Sequence, residues 1–367
     1  MGAYYYLEKA PTIAAAVEPK QEKSPLDPEN FVDFKLKKVI PYNHNTSTYV
    51  PALSIACSRL PNNEASLIPV ASCLIVKSSD LEALKDAKGK PIIRPYTPIS
   101  PSDKKGELAL LVKRYDSGNA SKHIHTLKEG DTLAIKGPIE KFPYKANEFE
   151  EVALIGGGSG ITPLYQILTH ALADKSNTTK FKLLFSNVTE KDILLREEFD
   201  ALKKKFPNNL DVVYLVDQPS KEWTGPVGYI SPDVIKKNVG PADLKEKIKI
   251  FVCGPPGQVA AVAGKKAGMK QGELGGILKE LGYSEDQVRF FAFLPSFLSF
   301  VSSCTSFPFF KVASCPWFSA TLQPLLYPSP VRPSILTETP ILYLPPQNLT
   351  SFFLYILPFG STRGTAR

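Results

Sequence analysis

Cysteine and histidine are scarce in this chain, and the cysteines are never paired. Five cysteines (Cys57, Cys73, Cys253, Cys304 and Cys315) lie far apart, and there are four histidines in 367 residues. That excludes zinc sites with ligand-pair spacing and a disulfide framework, and it makes a reducing compartment the expectation. No run of about 18 uninterrupted apolar residues occurs, so the sequence encodes no membrane span of ordinary length. No dense basic block is interleaved with aromatics, which leaves nucleic acid without its electrostatic footprint. Nor does any Ser-His-Asp set or pair of carboxylates stand out for acid–base or nucleophilic work.

The apolar content is 43%, enough for two cores in a chain of this length. The formal charge of +8 is uneven. Residues 291–367 hold Lys311, Arg332, Arg363 and Arg367 against Glu338 alone, and the rest of the excess lies in the body. A mildly basic body suits an acidic partner or an anionic cofactor. The first residues, Gly2 to Leu7 with three tyrosines, read either as the interfacial edge of a membrane span or as the start of a disordered leader.

From Phe31 to Gly137, short apolar runs are broken by turns: Phe31 to Ile40, Thr46 to Val50, Val70 to Val76, Ile92 to Ile99, Glu107 to Arg114 and Thr132 to Lys136. Short strands without long helical patterns predict an antiparallel barrel. Glu82 to Ala87 reads as a helical turn, and Pro51 inside a strand pattern belongs at an edge or a bulge. The period then changes. Val152 to Ile155, Phe181 to Ser186, Asp211 to Val216 and Ile248 to Cys253 alternate with helical stretches at Leu164 to Ala173, Leu194 to Lys205 and Gly272 to Leu281. Alternation of this kind predicts a parallel sheet with helices on both faces and a ligand crevice at its strand ends. Beyond Val288 the pattern is lost, because eleven prolines interrupt apolar clusters that have no sustained period. The expected division is a leader or linker over 1–29, a barrel over 30–145, an α/β domain over 148–290 and an atypical, disordered tail over 291–367.

The chain is organised around Val152 to Ile155 followed by Gly156-Gly157-Gly158-Ser159-Gly160-Ile161-Thr162-Pro163. A strand enters a glycine loop, and Pro163 stands where a first helical residue belongs, with Thr162 placed to cap it. Unpaired amides and the positive helix end make such a loop an anion site, which predicts a phosphorylated ligand over Gly157 to Thr162. The spacing departs from the three-glycine dinucleotide fingerprint, and the same loop also serves as a tight structural connection.

Companions lie elsewhere. Arg94-Pro95-Tyr96-Thr97-Pro98-Ile99-Ser100 offers a cation for a diphosphate, an aromatic for a flat heterocycle and hydroxyls beside both. Gly118-Asn119-Ala120-Ser121 leads into a helix expected over Lys122 to Leu127 and offers backbone amides to the same diphosphate. Cys253-Gly254-Pro255-Pro256 closes the last parallel strand and puts a small, polarizable wall beside a ligand; a buried structural cysteine is the plain alternative.

Together and in this order these three motifs resemble the ferredoxin reductase-like flavoproteins. Thr189 to Arg196, Glu222-Trp223-Thr224-Gly225 and Gln271 to Gly282 narrow the resemblance to the NADH-cytochrome b5 reductases, in particular their fungal mitochondrial branch. It covers about Phe31 to Val288. The resemblance implies an antiparallel β-barrel FAD domain joined to an α/β parallel-sheet domain that binds NADH. It implies that Arg94 and Pro95 hold the FAD diphosphate, that Tyr96 lies along the isoalloxazine and that Thr97 bonds near its reactive nitrogen. Leu111, Lys113, Asn119, Ala120 and Ser121 would line the rest of the flavin, and Thr162 would reach it from the other domain. Gly157, Gly158 and Gly160 would hold the NADH diphosphate, Asp217 the adenosine ribose, and Cys253, Gly254, Pro255 and Pro256 the nicotinamide. Thr97, Thr162 and Cys253 are then the groups nearest the reacting atoms.

The implied activity passes a hydride from NADH to FAD and single electrons on to cytochrome b5 or a similar acidic haem protein. A reductase module for another haem acceptor, like those of nitrate reductases or flavohaemoglobins, is the alternative within enzymes. The implied location is the mitochondrial outer membrane through an upstream anchor, with a soluble protein as the alternative if this N-terminus is native. His44 matches a family histidine and is expected to bond within the barrel. Three departures stand out: Pro51 to Ser58 reads as an insertion of about seven residues, Ala120 stands where family members carry a larger residue, and the tail reads as intron read-through or a shifted frame. The insertion and the tail allow a second class of reading, a non-catalytic binding or membrane-tethered product without flavin.

Overall fold

The computed structural model describes residues 24–52, 64–267 and 270–291. Most of the expected leader, most of the insertion and the tail from residue 292 fall outside the described residues, as do Cys57, Cys304 and Cys315.

Strands β1 (Val32–Asn43), β2 (Thr46–Pro51), β3 (Ser72–Ser78), β4 (Arg94–Tyr96), β5 (Leu110–Lys113) and β6 (Thr132–Glu140) form one antiparallel sheet in the order β4-β3-β6-β1-β2-β5. Side chains of a strand point alternately to its two faces. Phe34 and Leu36 of β1, Tyr49 of β2, Leu74 and Val76 of β3, Leu110 and Val112 of β5, and Leu133 and Ile135 of β6 all reach a single buried cluster. A sheet whose inner face meets itself in this way is curled into a barrel. The bend falls in β1, which pairs with β6 through Val32 to Lys35 and with β2 from Leu36 onward. Pro51 pairs with Leu36 where the register shifts, so the proline occupies the irregularity expected of it. Helix α1 (Asn119–Ile124) adds Ile124 to the same core. Leu81 to Ala83 form a turn rather than a helix.

The second lobe is a parallel sheet of β7 (Glu151–Gly157), β8 (Lys180–Asn187), β9 (Leu210–Val216), β10 (Ile248–Cys253) and β11 (Val288–Phe290), in the order β11-β10-β7-β8-β9. Its strands read as continuous apolar runs because both faces are covered. Val152 and Leu154 of β7 and Phe251 of β10 join the cluster under α2 (Ile161–Ala173) and α3 (Arg196–Lys205). Ala153, Ile155, Ile250 and Val252 join the opposite one, under α4 (Pro232–Asn238), α5 (Pro256–Ala263) and α6 (Gly276–Glu280). The helix expected over Gly272 to Leu281 is thus only its second half. Before it the chain folds back, and the Gly275 N–H donates to the Ala263 carbonyl at 2.9 Å.

From β7 the chain runs outward through α2 to β8 and β9, then returns by α4 to β10 on the other side of β7. The reversal leaves a crevice between the C-terminal ends of β7 and β10, the place where open α/β sheets bind ligands. Ala71 and Leu111 from the barrel lobe belong to the cluster beneath α2, so apolar packing joins the two lobes on that side.

Candidate functional site

The loops at the crevice are pressed together. A Cβ on Gly160 would lie 2.6 Å from the Cys253 carbonyl carbon and 2.7 Å from the Gly254 nitrogen, so only glycine lets the β7 loop cross the end of β10. Gln258 of α5 ties the same ends by donating from Nε2 to the Gly156 carbonyl at 3.0 Å. Gly158 takes a positive φ of 50° and opens the loop toward Tyr115, whose hydroxyl is 2.7 Å from the Ser159 hydroxyl. The expected cap is corrected. Gly158–Gly160 form a 3₁₀ turn, α2 starts at Ile161 with Gly160 as its N-cap, and Pro163 falls later in the first turn, where its missing N–H still costs nothing. The Thr162 hydroxyl donates back to the Ser159 carbonyl at 3.4 Å instead of capping the helix.

Across from this crevice stands the barrel end. One cavity of about 330 Å³ is walled by Arg94, Pro95, Tyr96, Thr97, Leu111, Lys113, Ala120 and Ser121 on the barrel side. Thr162, Cys253, Pro255 and Pro256 wall it from the α/β side. Twelve of the sequence-derived residues therefore share one space. Asn119, Gly157, Gly158, Gly160, Gly254 and Asp217 do not line it. The glycines form the loops behind its wall, and Asp217 stands two strands away, at the end of β9, with its N–H on the Asn187 carbonyl at 3.1 Å.

Local folding explains the side chains. Tyr96 pairs opposite Leu74 and packs on the barrel core, and burial pushes its hydroxyl well above the usual tyrosine range. Ser100 locks the end of this segment by accepting the Ala109 N–H at 3.0 Å. Burial lowers the Arg94 guanidinium, whose hydrogen bond among the described residues is to its neighbour's carbonyl, Ile93, at 2.7 Å. The helix expected from Lys122 begins earlier, at Asn119, because the Ser121 hydroxyl accepts the Tyr115 N–H at 3.1 Å and donates to the Gly118 carbonyl at 3.0 Å, which closes the loop into a first turn. That hydroxyl is already engaged. The Lys113 ammonium is likewise held, by Asp192 at 2.8 Å. His44 is exposed at the junction between the lobes, beside Asp192 and Asn45, and is not part of the barrel interior. Burial pushes the Cys253 thiol up to about 12, so it stays protonated and is a wall rather than a nucleophile.

Two family models match the two lobes: an oxidoreductase FAD-binding domain over residues 35–144 and an oxidoreductase NAD-binding domain over residues 154–264. NADH-cytochrome b5 reductase 2 of Mycosarcoma maydis is 46% identical over 268 residues, covering 73% of this chain and 74% of its own. The protein of that name from Yarrowia lipolytica is 43% identical, covering 71% and 85%. The chain belongs to the NADH-cytochrome b5 reductase family. Among solved structures, the cytochrome b5 reductase domain of Ulva prolifera nitrate reductase superposes with a TM-score of 0.62 at 25% identity, covering 73% of this chain and all of that one.

The walls suit the cofactors that this family membership brings, FAD and NADH. Arg94 presents a half-buried cation with no carboxylate partner among the described residues, and Ser72 lines the cavity with a buried hydroxyl that has no hydrogen-bond partner. At the end of β8, between the glycine loop and Asp217, the buried Asn187 amide also lacks a partner among the described residues at both its oxygen and its nitrogen. Buried polar groups of this kind are completed by a ligand or by water. Sequence reasoning missed Ser72, Cys73, Tyr115, Lys141 and Phe291, all on the cavity wall. Tyr115 stood two residues from Lys113, but nothing in the sequence tied it to Ser159.

Proposed function

We propose that the chain takes a hydride from NADH onto FAD and passes the electrons singly to cytochrome b5 or a similar acidic haem protein. The observation that supports this best is the shared cavity, with Arg94 to Thr97 on one wall and Ser159, Thr162 and Cys253 on the other. FAD bound there supplies the change from a two-electron donor to one-electron steps. The protein's share is placement. Arg94 and Pro95 hold the FAD diphosphate, Tyr96 lies along the ring system, Thr97 bonds near its reactive nitrogen, and Leu111, Lys113, Ala120, Ser121 and the amides from Asn119 shape the remainder. The Gly157 to Gly160 loop and the first amides of α2 receive the NADH diphosphate. Cys253, Gly254, Pro255 and Pro256 would flank the nicotinamide, and Thr162 would reach the flavin from the α/β side. Hydride transfer needs the reacting atoms roughly 3 to 3.5 Å apart, and two walls facing one space would bring both cofactors together for it. No proton donor is required, which accords with a neutral Cys253.

Asp217 takes the adenosine ribose, accepting from the 2'-hydroxyl and repelling a 2'-phosphate. Val227 and Tyr229, 58% and 81% exposed beside the end of β9, offer the adenine a flat apolar bed. The resemblance to fungal mitochondrial relatives supports a place at the mitochondrial outer membrane. No helix among the described residues is long and apolar enough to cross a membrane.

The purified chain is expected to be yellow, with about one FAD per chain, and to reduce cytochrome b5 with NADH. A colourless protein that takes up no added FAD overturns the reading. Reduction of ferricyanide without reduction of cytochrome b5 assigns a different haem acceptor.

A further inference from the structure

The two lobes meet at a second place, outside the cavity, and a single carboxylate is its hub. Asp192 ends the 3₁₀ turn Glu190–Asp192 that follows β8. Its Oδ2 accepts the Thr189 N–H at 3.1 Å and the Thr189 hydroxyl at 2.7 Å, which fixes the carboxylate to its own lobe. Its Oδ1 is turned to the barrel. There it accepts from Lys113 Nζ at 2.8 Å and from Asn45 Nδ2 at 3.2 Å, with His44 Nε2 at 3.6 Å.

Neighbouring bonds cross the same seam. Asn43 Nδ2 donates to the Lys191 carbonyl at 3.0 Å, and the Leu195 N–H donates to the Tyr42 hydroxyl at 2.8 Å. Leu195 holds a left-handed conformation, φ 56°, which a bulky residue rarely adopts. The barrel groups all come from the end of β1, the turn into β2, and β5.

We propose that Asp192 is a positioning residue: it sets the angle between the lobes and thereby the approach of the nicotinamide to the flavin. The inference rests on the NADH-to-FAD reading above. The apolar packing of Ala71 and Leu111 under α2 holds the lobes together but has no preferred direction. The ion pair does have one. The Lys113 and Asp192 side chains are 11% and 9% exposed, and a pair so nearly desolvated is strict in geometry because a broken partner leaves an uncompensated charge. Lys113 also lines the cofactor cavity, so the pair links the seam directly to the flavin wall. Burial acts to raise the Asp192 carboxyl, yet the hydrogen bonds from Lys113 and Thr189 outweigh it and hold it at about 2, so the clasp is fully charged at neutral pH.

The test uses the FAD-loaded full chain carrying Asp192→Asn, which keeps the size and one acceptor oxygen and removes the charge. Flavin content is expected to be unchanged and the affinity for NAD+ to stay within about threefold, while flavin reduction by NADH in stopped flow slows about tenfold or more. The long-wavelength charge-transfer absorbance of the stacked rings falls with it, a signal that a merely structural role would not move. Combining Asp192→Asn with Lys113→Met is expected to slow reduction no further than the sum of the single changes predicts, and by less if the two act as one unit. An Asp192→Asn holoenzyme that reduces its flavin within about twofold of the unaltered rate overturns the inference. Should that variant not fold, Asn45→Ala decides in its place: slowing of about threefold supports the inference, and an unchanged rate overturns it. If the unaltered chain binds FAD but NADH does not reduce it, the underlying reading fails and the inference goes with it.

Discussion

At the scale of single residues, burial decides what each polar group beside the cavity can do. Cys253 sits 3% exposed at the end of β10, and the same desolvation that makes it a good wall denies it a thiolate. Burial likewise works against the charge of Arg94, which has no carboxylate partner among the described residues. Asp217 is set apart from both, at the end of β9, and the proposed function gives it the adenosine ribose. Asp217→Ser is expected to raise kcat/KM for NADPH relative to NADH by about tenfold or more, because a 2'-phosphate no longer meets a carboxylate. Steady-state kinetics with both donors checks this; an unchanged ratio removes Asp217 from the ribose site. Arg94, Tyr96, Thr162 and Cys253 were legible because their motifs carry unusual local chemistry. Ser72 and Asn187 were not. An unremarkable serine and asparagine acquire meaning only when folding buries them without partners.

At the scale of elements, the strands could be read from their period, since each apolar run in the second half covers both faces of a parallel sheet. Helices with caps were less legible than they should have been. Ser231 accepts the Val234 N–H at 3.3 Å with Pro232 following it, a regular start signal for α4, and Pro256 likewise opens α5. In the sequence Pro256 reads only as the close of the last parallel strand, and no helix is expected at Pro232. The glycine loop was read as a phosphate cradle, and the structure gives Gly160 a second duty in packing α2 against the end of β10. Gly160→Ala is therefore expected to cost about 1–3 kcal/mol by overpacking. A fall in Tm together with a raised KM for NADH would show that one residue serves both purposes. A fall in neither would mean that the two loops separate freely.

At the scale of the whole molecule, two motif sets some sixty residues apart pointed to two half-sites facing one another, but no periodicity reports the angle between two bodies. That angle depends on contacts such as Asp192 with Lys113, which are invisible until both lobes are folded. The clasp has a pH signature whose sign follows from its carboxyl. A folded value of about 2 lies below the ordinary 3.8, so the stabilisation is present above the ordinary value and is lost as the pH falls through about 2. Between pH 4 and pH 2 the urea midpoint of the unaltered chain is expected to fall more steeply than that of Asp192→Asn. Every other carboxylate is common to the two proteins, so the difference in slope isolates this one. Parallel slopes would mean that the Asp192 carboxylate adds nothing to the junction, and that the barrel and the sheet meet at an angle that no single charge controls.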